Sequence, residues 1–161
     1  MHYTLRNTLA ALSVAAIAIG MGSKVQAAGA AGDGNWKLNA QKSSFSPGPA
    51  PASITTTFQT TGDAVKWKSA RTGSDGKETV STYEAKYDGR DYPITGSATT
   101  DTVTLRRIDD RTTERVNKKA GKAMTTERRE VAADGKSYVT TVTGTTSDGK
   151  PVNNRMVFDK Q

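Results

Sequence analysis

Two tetrapeptides, Ser74-Asp75-Gly76-Lys77 and Ser147-Asp148-Gly149-Lys150, have the Ser-x-x-Lys spacing that serine acyl-transfer enzymes use. In those enzymes a turn of helix stacks the serine beneath the lysine. Here Asp-Gly fills the middle of both tetrapeptides, and Asp-Gly is typical of the tight turn that joins two antiparallel strands. We therefore interpret both tetrapeptides as hairpin turns and not as catalytic sites.

The other side chains that carry chemistry in enzymes are scarce in this chain of 161 residues. It contains no Cys, and its one His is His2. A Ser-His-Asp triad, a cysteine nucleophile and a Cys/His zinc site are therefore excluded once residues 1–27 are removed. We expect a protein that is not an enzyme and that has no metal site and no cofactor. Five glutamates remain whose spacing singles out no acid–base pair: Glu78, Glu84, Glu114, Glu127 and Glu130.

Residues 1–27 have the parts of a secretory signal peptide. Arg6 makes the start basic, an apolar run extends over 9–19, and Val25-Gln26-Ala27 has small residues at the positions that precede cleavage. The apolar run is too short to cross a bilayer and anchor the protein. We expect cleavage after Ala27 and a periplasmic or secreted protein that does not span the membrane.

Short runs of strand-forming residues, separated by turn signals at regular intervals, fill the chain after a flexible segment at 28–34. A Pro-rich stretch at 40–52 is unsuited to the interior of a sheet, so we expect an irregular loop there. The rest forms one domain over 35–161. Its candidate strands are 35–39, 53–60, 64–71, 78–87, 91–96, 102–108, 113–118, 122–133, 137–145 and 151–159.

Alternating residues along these strands predict a sheet with one buried face and one wet face. Val65 and Trp67 alternate on one strand, and Tyr138 and Val142 alternate on another. An open meander would leave two long edges, which closure into a barrel removes. The sequence therefore predicts an all-β fold, an antiparallel up-and-down meander of 8–10 strands that closes into a barrel. A membrane barrel is disfavoured because residues 127–130 are all charged.

The two ends of this meander carry residues that resemble those of the calycins, the group of lipocalins and fatty-acid-binding proteins. The first strand has Gly34-Asn35-Trp36 and the last has Arg155. In calycins a Gly-x-Trp opens the barrel and a basic residue of the final strand lies over the indole. The resemblance implies a lipocalin-like barrel whose closed end is plugged by Trp36, with Arg155 over its ring. The Arg-x-Tyr with which fatty-acid-binding proteins hold a carboxylate is absent, since Val157 stands in place of the tyrosine.

Four aromatic residues on neighbouring strands are candidates for the wall of a ligand cavity, and packing of the barrel core accounts for them equally well. Together with the resemblance they predict a non-catalytic barrel that binds a small apolar or amphipathic molecule. The candidate ligand-binding residues are Trp67, Tyr83, Tyr87, Tyr92 and Arg155.

A basic stretch at 106–129 supports an alternative, an envelope interaction protein that binds anionic polymers or a protein partner through its surface. Such a run also occurs where long side chains simply solvate an outer face. Nucleic acid is not expected as a partner, because the stretch has no aromatic residue to stack on bases. The candidate basic surface consists of Arg106, Arg107, Arg111, Arg115, Lys118, Lys119, Lys122, Arg128 and Arg129.

Overall fold

The computed structural model describes residues 31–161, which form ten β-strands. The expected signal peptide, and residues 28–30 of the segment expected to be flexible, lie outside the described residues. No helix within the described range is long and apolar enough to cross a membrane. The strands are β1 (Gly34–Ser44), β2 (Ser53–Thr61), β3 (Ala64–Thr72), β4 (Glu78–Lys86), β5 (Asp91–Pro93), β6 (Thr102–Arg107), β7 (Thr112–Lys119), β8 (Lys122–Val131), β9 (Ser137–Thr145) and β10 (Pro151–Lys160).

Every strand pairs antiparallel with the next, except across the junction of β4 and β5, and β1 also pairs with β10. The sheet therefore runs β4-β3-β2-β1-β10-β9-β8-β7-β6-β5 and curls until its two edges meet. The edges are joined by one isolated bridge, Thr82 to Thr95, with backbone N···O distances of 3.1 and 2.9 Å. The predicted all-β meander is confirmed, and its closure into a barrel is nearly complete.

The Asp-Gly turns act as predicted. At the β8–β9 hairpin, Gly135 has φ of 66°, a conformation that favours glycine, and its amide donates to the Ala132 carbonyl at 2.9 Å. The carboxylate of Asp134 accepts from the amide of Lys136 at 2.9 Å, which closes the turn with a side chain. These local interactions fix where each strand ends and hence which side chains reach the barrel interior.

The core lies at one end of the barrel, where the chain enters β1 and leaves β10. Trp36 is 0% exposed, its ring packs edge-on against Tyr138 at 4.9 Å between centroids, and Tyr138 stacks on Phe158 at 4.6 Å. Burial of these large side chains from several strands holds the barrel together at this end, which we call the closed end.

Two segments depart from the strand prediction. Strand β1 continues to Ser44 instead of ending at Asn39, because a register irregularity between those residues lets the strand pair with β10 again. The Pro-rich loop is correspondingly shorter and is tied to β10, where the Asn153 amide donates to the Ser46 carbonyl at 2.8 Å. Strand β5 ends at Pro93 instead of 96.

Candidate functional site

A cavity of about 850 Å³ occupies the barrel beyond the closed-end core. Small-molecule sites typically have volumes of roughly 300–1,000 Å³. The mouth is formed by the β3–β4, β5–β6 and β9–β10 loops, with Asp75, residues 97–100 and residues 145–148 at its rim. Hydroxyl groups such as those of Ser69 and Thr140 alternate with apolar side chains along the wall. The apolar side chains on the mouth side of the wall include Phe45, Ile54, Met124, Val142 and Val152.

The inner part of the cavity contains an arginine that spans the barrel from β7 to the opposite wall. The Arg115 guanidinium carbon lies 4.5 Å from the ring centroid of Trp67 and 5.6 Å from that of Tyr83. Its Nη2 donates to Glu127 Oε1 at 2.6 Å, and the side-chain Nδ2 of Asn117 donates to the same oxygen at 2.8 Å. Burial lowers the pKa of Arg115, but the charges and hydrogen bonds of Glu127 and Tyr83 together raise it above its ordinary value. Arg115 therefore stays charged inside the barrel.

A second arginine, Arg129 on β8, spans the barrel nearer the closed end. It is 7% exposed, and its guanidinium carbon lies 3.9 Å from the ring centroid of Phe58 on β2. Within residues 31–161 its Nε and Nη1 are buried without a hydrogen-bond partner, as is Nε of Arg115. A buried charge without a partner is costly, so Arg129 is the outstanding unsatisfied group of this interior.

The register of β7 and β8 brings the two guanidinium groups together. Arg115 pairs with Glu127, and Thr113 pairs with Arg129, so the two arginines are diagonal neighbours on the lumen face. Two guanidinium groups and one carboxylate give this layer a net charge of one positive unit. We call Arg115, Glu127 and Arg129 the arginine layer. All three side chains line the cavity, and the unpaired guanidinium nitrogens of the two arginines are buried.

Two tyrosines lie beside the arginine layer. The Tyr138 hydroxyl lies 2.7 Å from the Thr56 hydroxyl in the interior. Burial raises the pKa of Tyr138, and burial likewise raises that of Tyr83, where the charge of Arg115 acts in the opposite direction. Both hydroxyls are therefore neutral at ordinary pH and serve as hydrogen-bonding groups, not as bases.

Three of the five candidate ligand-binding residues line the cavity: Trp67, Tyr83 and Tyr87. The Tyr92 hydroxyl instead donates to Asp88 at 2.9 Å, at the exposed β4–β5 turn. Arg155 is exposed and donates to the Lys42 carbonyl at 3.1 Å. Neither Tyr92 nor Arg155 is among the lining residues.

The closed end contains Trp36 as expected, but the expected contact with Arg155 is not made. The Lys160 ammonium lies 5.1 Å from the Trp36 ring centroid instead. The register of β1 and β10 explains why Lys160 and not Arg155 contacts the indole. Trp36 pairs with Lys160, whereas Arg155 pairs with Ser44, near the other end of β1. Gly34 lies beneath the same lysine, since a Cβ there would come within 3.1 Å of Lys160 Cε.

The residues of the candidate basic surface do not form one face. Arg115 and Arg129 point into the barrel, because both lie on the lumen side of the two-residue alternation. Lys118 and Lys119 form ion pairs with Asp91 and Asp101, each at 2.7 Å. The remaining five are on the outside. Arg106, Arg111, Lys122 and Arg128 are exposed, and the exposed Arg107 lies 5.0 Å from the Tyr87 ring centroid.

Among residues 31–161 no group of three His, Cys, Asp or Glu side chains converges as a metal site. The interior combines buried guanidinium groups and neutral tyrosine hydroxyls near the closed end with apolar side chains and further hydroxyls toward the mouth. This arrangement is suited to binding a molecule that has an acidic end and an apolar body.

Comparison with known proteins defines the class of fold. Among solved structures, the zebrafish ileal bile acid-binding protein complexed with cholic acid is similar, with a TM-score of 0.55 and 14% identity, covering 81% of this chain and 99% of that chain. The siderocalin Ex-FABP has a TM-score of 0.38 and 12% identity, covering 81% of this chain and 74% of that one. No family model matches the sequence, and no curated protein matches it either. The chain has a calycin-like fold.

Proposed function

We propose that this protein is an exported, non-catalytic carrier or sensor barrel that holds one small amphipathic molecule with a single negative charge. The acidic group lies at the arginine layer, and the apolar part extends toward the mouth. The observation that supports this most directly is Arg129, which is 7% exposed, lines the cavity and has buried Nε and Nη1 atoms without a hydrogen-bond partner within residues 31–161.

The charge of the arginine layer favours a monoanion. Glu127 already neutralises Arg115, at 2.6 Å, so one positive charge remains, on Arg129. A carboxylate or sulfonate at this point would accept hydrogen bonds from the unpaired N–H groups and remove the cost of an isolated buried cation. Each hydrogen bond to a charged group contributes about 1.5–3 kcal/mol.

The wall above the arginine layer favours an amphipathic body over a purely apolar one. Apolar side chains such as Ile54 and Val142 alternate there with the hydroxyls of Ser69, Ser81 and Thr140. The apolar side chains bury the body of the ligand, and the hydroxyls accept or donate hydrogen bonds where it carries polar groups. The similar zebrafish protein was solved with cholic acid, which is consistent with an acid in a barrel of this fold.

Binding is favoured over catalysis by the state of the interior groups. The raised pKa values of Tyr83 and Tyr138 keep their hydroxyls protonated, and Glu127 is engaged by Arg115 and Asn117. The two tyrosine hydroxyls are therefore not poised to transfer a proton near neutral pH. The interior is also favoured over the basic surface as the site, because two of the nine basic residues point inward and three more form ion pairs.

Native mass spectrometry of protein purified from its own periplasm tests the proposal. We expect a stoichiometric adduct that fragments as a monoacid with an apolar chain or ring system, and we expect the adduct to be lost in Arg129→Met. Arg106→Met, on the outer surface, is the matched control and should retain it. A neutral or cationic adduct, or a monoacid adduct that persists undiminished in Arg129→Met, would overturn the proposal.

A further inference from the structure

The short segment before β1 is tied down across the closed end of the barrel. Gly32 is buried, and its carbonyl accepts from the Trp36 indole Nε1 at 2.9 Å. The carboxylate of Asp33 accepts from both the amide and the hydroxyl of Thr60 on β2, at 2.9 and 2.7 Å. Three hydrogen bonds therefore fix the backbone of residues 32 and 33 relative to β1 and β2.

Gly32 lies directly against the guanidinium of Arg129. A Cβ at position 32 would be 3.0 Å from Nη2, 3.2 Å from Cζ and 3.3 Å from Nη1. The backbone of Gly32 has no positive φ, so its conformation is open to other residues and the arginine occupies the space that a side chain would need. The Phe58 ring lies 3.9 Å from the guanidinium carbon, so Arg129 contacts both the Gly32 backbone and Phe58.

We propose that Gly32 is a positioning residue that sets the anion selectivity of the cavity, an inference that rests on the function proposed above. Its backbone and the Phe58 ring restrict the guanidinium, and this restriction directs the unpaired Nε and Nη1 of Arg129. A side chain at position 32 displaces the guanidinium by a few tenths of an ångström, which misaligns the hydrogen bonds to an acidic group. The apolar part of the cavity is not affected.

Isothermal titration with decanoate and 1-decanol separates these two effects, because the probes share a chain and differ in charge. We expect Gly32→Ala to weaken decanoate binding about three- to tenfold, the equivalent of one misaligned hydrogen bond, and to leave 1-decanol binding unchanged. In an Arg129→Met background, Gly32→Ala should have no further effect on either probe. Asp33→Asn, which loosens the segment from Thr60 without placing an atom near Arg129, should produce a smaller loss of the same kind.

The outcomes distinguish this inference from the proposed function. If Arg129→Met leaves decanoate binding unchanged, the proposed function fails. If Arg129→Met abolishes the preference for decanoate but Gly32→Ala and Asp33→Asn do not reduce it, only the positioning role of Gly32 is overturned. Equal weakening of both probes by Gly32→Ala, or further weakening in the Arg129→Met background, would also overturn that role, because a general disturbance of the fold would then explain the effect.

Discussion

The guanidinium carbon of Arg129 lies 3.9 Å from the ring centroid of Phe58 on the opposite wall of the barrel, and Arg129 forms no salt bridge within residues 31–161. Its neighbour Arg115 also spans the barrel but is paired with Glu127 at 2.6 Å. Arg115 is thus part of an interior ion pair, and Arg129 is a buried cation without an anionic partner among these residues. The two should respond to substitution in opposite ways.

We predict that Arg115→Met lowers the free energy of unfolding of the ligand-free protein by about 3–5 kcal/mol, because Glu127 is left buried without its cation. Arg129→Met should not lower it, since methionine replaces an unsatisfied charge with an apolar side chain of similar length. Urea unfolding of both variants measures the difference. If Arg129→Met is as destabilising as Arg115→Met, Arg129 is a structural residue of the core and not an anion-binding residue.

A second prediction concerns the stability that Trp36 provides at the closed end of the barrel. Trp36→Ala removes a fully buried indole and should cost about 3–5 kcal/mol. A double-mutant cycle should couple Trp36 to Lys160 by about 0.5–1 kcal/mol, the usual worth of an exposed cation–π contact, and should not couple Trp36 to Arg155. Lys160→Met and Arg155→Met provide the cycle by urea unfolding. Coupling to Arg155 would show that the register of β1 and β10 differs from the one described.

The seam between β4 and β5 is sensitive to one glycine. A Cβ on Gly96, where φ is 74°, would lie 1.9 Å from the Val80 carbonyl oxygen. We expect Gly96→Ala to cost clearly more than Gly149→Ala, which has a similar φ of 81° and open space around it. The control should lose about 1–2 kcal/mol from backbone strain alone. Urea unfolding and hydrogen exchange at the Thr82 and Thr95 amides test this. Equal losses with unchanged exchange would mean that the bridge does not depend on Gly96.

Alkaline pH should destabilise the barrel through its interior tyrosines. Burial raises the pKa of Tyr83 and Tyr138 above the ordinary value of 10.0, so the unfolded chain loses these protons at lower pH than the folded one. The contribution to stability is therefore complete below pH 10 and declines as the pH rises further. Urea unfolding between pH 8 and 11 should show a steeper decline for the parent than for a variant with Tyr83→Phe and Tyr138→Phe. Parallel declines would contradict buried, protonated hydroxyls.

Much of the fold could be predicted because its signals are local. Each Asp-Gly turn is set by its own residues, as at Asp134 and Gly135, and the alternation of Val65 and Trp67 identifies the buried face of β3. All ten strands follow from turns and alternation of this kind. The place of Trp36 in the first strand likewise predicts its burial at the closed end, where it is 0% exposed.

The arginine layer could not be predicted by the same reasoning, because β7 does not place its apolar residue on the interior face. Val116, the apolar residue of that strand, does not line the cavity, whereas Arg115 and Asn117 do. A prediction from apolar alternation alone would place Val116 inside the barrel and Arg115 outside.

The contact of Lys160 with Trp36 at the closed end can be read from the sequence of the last strand. Lys160 lies two residues beyond the buried Phe158 and therefore on the same face of β10, whereas Arg155 lies on the other face.

The most direct test of the central claim is the affinity of the protein for decanoate and for 1-decanol, measured by isothermal titration in the parent, in Arg129→Met and in Arg106→Met. We predict that the parent prefers decanoate by about 10- to 150-fold, the free-energy equivalent of one charge-assisted hydrogen bond. The preference should disappear in Arg129→Met and persist in Arg106→Met. A parent that binds both probes equally, or a preference for decanoate that survives Arg129→Met, would contradict an anion site inside the barrel.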